Sequence, residues 1–178
     1  MQRRELLRAF GGATALALLP LEAVAAWTRV ASGRVVADGL SDAHLALVGA
    51  IADTIIPRTD TPGANDVGVP AFVNVIVGEN YAEQTRAAFV AGLDAIEAHA
   101  KSSAGSALVE LAPAARASLI ASIEDGDRGS DPGRTYWRLK GLVVHGYFTS
   151  EPVMKNVLKF EIMPGKFDGA APMPVPHG

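Results

Sequence analysis

SDAHLALVGAIADTIIP, residues Ser41–Pro57, contains the signals of a whole helix. Ser41 is a suitable N-cap, and Asp42 puts a negative charge at the positive end of the helix. Leu45, Val48, Ala52, Ile55 and Ile56 return at helical spacing, and Pro57 ends the run. The next stretch, PRTDTPGANDVGVP (57–70), holds three prolines and two glycines and reads as a rigid, exposed loop. At its centre, Pro62-Gly63 is the pair expected in a type II turn, with Gly63 at positive φ.

Further helices follow on the same logic. Pro70 opens a short one through Phe72, Val73 and Ile76. From about Ala82 to Ala100 a long amphipathic helix carries Phe89, Leu93 and Ile96 on one side, with Glu83, Gln84 and Glu97 toward water. KSSAGSA is expected to be a turn. Pro113 starts a helix through Leu119, Ile120 and Ile123, and EDGDRGSDPG is a polar loop. The last helix, GRTYWRLKGLVVHGYFTSE, places Tyr136, Leu139, Val143 and Tyr147 on one side. No strand pair with a convincing turn is present. The expected fold is all-α, a compact bundle of about five helices with long ordered coil. Its expected divisions are a leader (1–25), a linker (26–39), a helical domain (40–162) and an extended Pro-rich tail (163–178).

The composition fits this reading. Hydrophobic residues are 49% of the chain, many of them alanine, which suits packed helices. The net charge is −3, so there is no electrostatic reason to bind nucleic acid or anionic lipid. With no cysteine in the sequence, disulfides, thiol catalysis and cysteine-held iron–sulfur or c-type haem groups are excluded from this chain.

The leader reads as an address. Arg3 and Arg4 are followed by Leu6 and Leu7, then by thirteen uncharged residues from Ala9 to Leu21 and a small-residue site at Ala23-Val24-Ala25. A positive segment, an apolar segment and a small-residue site are the parts of an export signal. The paired arginines point to the twin-arginine route, which carries folded proteins, and so to the periplasm. The competing reading is an uncleaved anchor, but thirteen residues fall short of the roughly 20 that span a bilayer. Membrane association is expected only through a complex or through an uncleaved signal.

Candidate chemistry is sparse. His44, His99, His145 and His177 include no pair spaced to share a helix face around a metal. Asp125, Asp127 and Asp131 fall at positions one, three and seven of a calcium-like loop. That loop has Ser130 where glycine is needed and Tyr136 where the bidentate glutamate belongs. There is no G-x-S-x-G and no G-x-G-x-x-G after a strand. Catalytic, cofactor-binding and metal residues are therefore all expected to be none in this chain.

The segment LVGAIADTIIPRTDTPGANDVGVPAFVNVIV resembles the stretch that marks gluconate 2-dehydrogenase subunit 3 proteins. There a helix ends in an Ile-Ile-Pro step, followed by a Thr-Pro-Gly-Ala turn and a Gly-Val helix start. Here these are Pro57, then Thr61, Pro62, Gly63 and Ala64. FVAGLDAIEAHA, LKGLVVHGYFTSE and MPGKF match as well, so the resemblance covers about residues 40 to 170. It implies a small non-catalytic subunit that accompanies a large FAD-dependent sugar dehydrogenase of the glucose–methanol–choline (GMC) type. A cytochrome c often accepts the electrons in such complexes, and haem c would then sit in a third subunit. The short length is similar to the small subunit of glucoside 3-dehydrogenases. A flavoprotein that folds around FAD before export suits a route for folded cargo, and Arg3 and Arg4 could carry both chains. The alternative is a free-standing periplasmic binding or structural helical domain.

The tail, Met163 to Gly178, contains four prolines, which exclude a helix. Such a stretch is commonly a disordered end; against that, its apolar residues are many for a solvated tail and suit a segment laid extended on a partner. Phe167, Met173 and Val175 are the candidate partner contacts.

Overall fold

In the computed structural model of the chain, residues 21–33, 36 and 39–160 are described. The architecture is all-α, with no strand among the described residues. Six α-helices run in chain order: α1 Leu21–Ala31, α2 Asp42–Ile55, α3 Val69–Val75, α4 Glu83–Ala104, α5 Pro113–Asp125 and α6 Asp131–Thr149. A π-helical turn at Ile76–Asn80 continues α3, a 3-10 turn at Leu108–Glu110 links α4 to α5, and a second π turn at Val153–Val157 follows α6.

The centre of the molecule is the packing of α6 against α4 and α3. Tyr136, Leu139, Val143 and Tyr147 all face inward from α6, as the spacing predicts, and meet Phe89, Leu93 and Ile96 of α4 within one core. The two helices come close because Gly92 faces Thr135: a Cβ on Gly92 would lie 1.7 Å from Thr135 Oγ1. Gly146 gives α3 the same access, since a Cβ there would meet the Phe72 ring at 2.7 Å. On its other side α6 is fixed to α5. Glu124 accepts from the Tyr136 hydroxyl at 2.6 Å and pairs with Lys140. Arg116 of α5 ties down the 3-10 turn by donating to the carbonyls of Leu108, Val109 and Leu111.

Helix starts follow the capping chemistry. Ser41 accepts from the His44 amide, and Ser130 accepts from the Gly133 amide with Pro132 in the first turn of α6.

The five expected helices are all present, and four expectations are corrected. The span read as a linker, 26–39, is helical as far as Ala31, in a helix that begins at Leu21, inside the expected leader. Ala23 and Ala26 are fully buried there, and Trp27 stacks on Phe72 with ring centroids 5.2 Å apart. KSSAGSA is not a turn at its start: α4 continues through Lys101–Ala104 and stops at Gly105, whose φ of 76° is the left-handed C-cap favoured by glycine. Glu97 does not simply face water, because it accepts from the Leu108 amide at 3.2 Å and so anchors the 3-10 turn. Gly63 is not at positive φ, and Gly68 is, at φ 80°. The leader residues Arg3, Arg4, Leu6 and Leu7 lie outside the described residues, as do Phe167, Met173 and Val175 of the tail.

Candidate functional site

The motif that stood out in the sequence, Pro57 with Thr61–Ala64, forms a loop that folds back on the end of α2. Pro57 is exposed just beyond the α2 cap, where it bars further helix. The Ala64 amide donates to the Ile56 carbonyl at 3.0 Å, and the Thr59 amide donates to the Thr61 carbonyl at 3.0 Å. Ala64 and Gly63 are buried in the closed loop. Glycine is required at 63 by close approach: a Cβ would sit 2.8 Å from the Arg58 backbone nitrogen. Tyr147 of α6 donates its hydroxyl hydrogen to the Pro62 carbonyl at 2.8 Å, which pins the turn to the central helix.

Two carboxylates complete the loop. Asp66 accepts from the Gly63 amide at 2.8 Å and pairs with Arg58. The Arg58 hydrogen bond, helped by the Gly63 amide, holds the Asp66 carboxyl below its ordinary range. Asp53, near the end of α2, accepts from the Asn65 amide at 3.2 Å and from its side-chain nitrogen at 2.6 Å, while that nitrogen also donates to the Gly49 carbonyl. These polar groups bond to one another within the loop. The arrangement fixes the path from α2 to α3.

The histidines do not converge. His44 bridges Ser41 and Asp94, the latter at 2.9 Å, and so links α2 to α4. His145 lies beside the Phe72 ring, 5.9 Å between centroids. His177 is outside the described residues. Asp127, from the calcium-like loop, caps the Gly129 amide at 2.8 Å, and Asp131 pairs with Arg134. Among the described residues no group of three His, Asp or Glu side chains could hold a metal ion.

A second feature was missed in the sequence. An apolar groove of about 580 Å³ runs between α1 and the turn after α6, lined chiefly by Val24, Trp27, Val30, Pro152, Met154 and Phe160. Trp27 Nε1 donates to Thr149 Oγ1 at 3.1 Å, which fixes the indole at the groove wall. Glu151 and Lys155 pair at its rim. This lining suits an apolar polypeptide segment better than a sugar, which needs unpaired hydrogen-bonding groups in its walls. The signal that could have revealed it is the spacing of Ala23, Ala26, Trp27 and Val30, a helical i, i+3, i+4, i+7 set.

Compared with known protein families, residues 42–165 match the model described as gluconate 2-dehydrogenase subunit 3. The chain belongs to this family. The match begins at the first residue of α2 and takes in the loop, the α4–α6 core and the groove's C-terminal wall; α1 precedes it. No curated protein and no solved structure matches significantly. A subunit-3 chain is the small subunit of a dehydrogenase complex and associates with other dehydrogenase subunits. Two features of its geometry are thus on view: a self-bonded loop between α2 and α3, and an apolar groove beside α1.

Proposed function

We propose that this subunit is the non-catalytic partner of a periplasmic FAD-dependent sugar dehydrogenase of the GMC type, and that it stabilises the flavoprotein and escorts it through the twin-arginine route. The complex acts on a sugar or glycoside, with oxidation at the glucoside 3-hydroxyl as the preferred reaction. FAD belongs to the large subunit, and haem c to a third subunit where one is present. The family match carries the reading. It is supported by the apolar groove, a surface that in water favours covering by a protein partner.

Export is tested at Arg3 and Arg4. Replacing both with lysine should leave this chain and its flavoprotein partner in the cytoplasm on cell fractionation. Full recovery of the partner in the periplasm would reject the escort role. The groove also favours a second reading, a free-standing periplasmic binding domain. Purification from the native host separates the two, because the subunit reading requires a stoichiometric flavoprotein.

A further inference from the structure

We infer that α1 is a permanent element of the folded subunit, that the Ala23-Val24-Ala25 site is closed to signal peptidase, and that the exported chain begins at or before Leu21. The inference rests on the export reading above and adds to it where the leader can end.

The small-residue site lies inside a helix that is docked on the core. Ala23 is 0% exposed and Ala26 1%. On the next turn Trp27 lies on Phe72 of α3 and donates to Thr149 of α6. Arg29 pairs with Glu79 in the π turn after α3. Three separate elements therefore hold the helix. Alanine at 23 and 26 has a packing reason, since both face the core.

A peptidase that reads small side chains two residues apart needs them on one side of an extended strand, where alternate residues share a face. In a helix, residues 23 and 25 point in different directions. Here Ala23 points into the core and Ala25 into solvent. Cutting after Ala25 first requires α1 to leave Phe72 and Thr149 and to unwind. The cut would leave Ala26–Ala31, under two turns, too short to persist as a helix once its first half is gone. A route that passes folded cargo presents the peptidase with α1 already in place. Upstream, Ala13-Thr14-Ala15 and Ala15-Leu16-Ala17 offer the same small-residue pattern, and a cut there would leave α1 whole.

The test is N-terminal sequencing and intact mass of the subunit recovered from periplasmic and membrane fractions. A first residue at or before Leu21 is expected, and a chain beginning at Ala26 overturns the inference. If no exported pool exists, the export reading fails separately, and thermal melting decides the structural part. The chain lacking residues 1–25 should melt at least about 5 °C below the full chain. Equal melting temperatures would show that α1 is dispensable and overturn the inference.

Discussion

A Cβ added to Gly63 would press on the Arg58 backbone nitrogen at 2.8 Å and on the Ile56 carbonyl at 3.3 Å. Both atoms are backbone in a closed loop, so neither can swing aside as a side-chain tip would. Gly63→Ala is expected to destabilise the domain by about 1–3 kcal/mol in denaturant unfolding. An unchanged midpoint would mean the loop opens at little cost. The sequence marked this residue as special and attached the wrong reason, a positive φ. The positive φ sits five residues on, at Gly68, because a turn signal such as Pro-Gly does not say which way the chain returns. Glu124 gives a pH test. The Lys140 ammonium, then the Tyr136 hydroxyl, hold its carboxyl below the ordinary range, while burial pushes the Tyr136 phenol up. A depressed carboxyl means that the unfolded chain takes up protons first on acidification. The stabilisation is therefore present above about pH 4.5 and is lost as pH falls through the folded value. Glu124→Gln should lower stability at neutral pH by less than about 1 kcal/mol, since the carboxylate is partly solvated. The gap from wild type should close as pH falls through the folded value. Asp66 and Glu151 are held down too, so the variant keeps part of its acid sensitivity. A gap that does not narrow on acidification would refute the assignment.

Between elements, the crossing of α4 and α6 depends on one missing side chain. A Cβ on Gly92 would overlap Thr135 Oγ1 at 1.7 Å and Thr135 Cβ at 2.6 Å. The second contact is with an atom next to the α6 backbone, so a rotamer change cannot relieve it and the helices must separate. Gly92→Ala should cost about 3 kcal/mol despite the better helix propensity of alanine. A stabilised variant in calorimetry would show that the two helices are not in close contact there. The stripes of α4, α5 and α6 were legible because buried leucine, isoleucine, valine, phenylalanine and tyrosine recur with the helical period. In α2 the reading found Val48 and Ala52 but missed the buried Leu47 and Ile51, and Leu45, Ile55 and Ile56 are only partly buried. What escaped was set by tertiary contacts. Lys101–Ala104 has two serines and no apolar stripe, yet it continues α4 up to the glycine that can cap it. The residues of α1 have a helical pattern of their own, but alanine and valine are also what an export signal ends with, and composition alone could not separate the two. The loop network of Asp53, Asn65 and Asp66 left no sequence signal beyond turn-forming residues, since its partners come together only once α2 and α3 are placed.

For the whole molecule, the proposed partner contact can be tested at the groove and at the tail. Val24 and Val30 of α1 form one side of the groove, Met154 the other, and Phe160 its end, still 48% exposed. From Phe160 the chain runs directly into the tail with Phe167, Met173 and Val175. If the large subunit covers both, they form one continuous apolar surface on the partner. Phe148 of α6 is a useful control, because it is 46% exposed and not part of the groove lining. Phe160→Asp should change the stability of the isolated subunit by no more than about 0.5 kcal/mol, as expected for a half-exposed site. It should weaken binding to the flavoprotein at least about tenfold, equivalent to about 1.4 kcal/mol. Phe148→Asp should leave binding unchanged. Removing the tail after Glu161 should also weaken the complex. Groove and tail serving one contact would make the two changes less than additive, since residues sharing a partner surface couple. Equal loss from Phe148→Asp and Phe160→Asp would point to general surface hydrophobicity. Wild-type affinity with Phe160→Asp would place the flavoprotein on another face of the bundle.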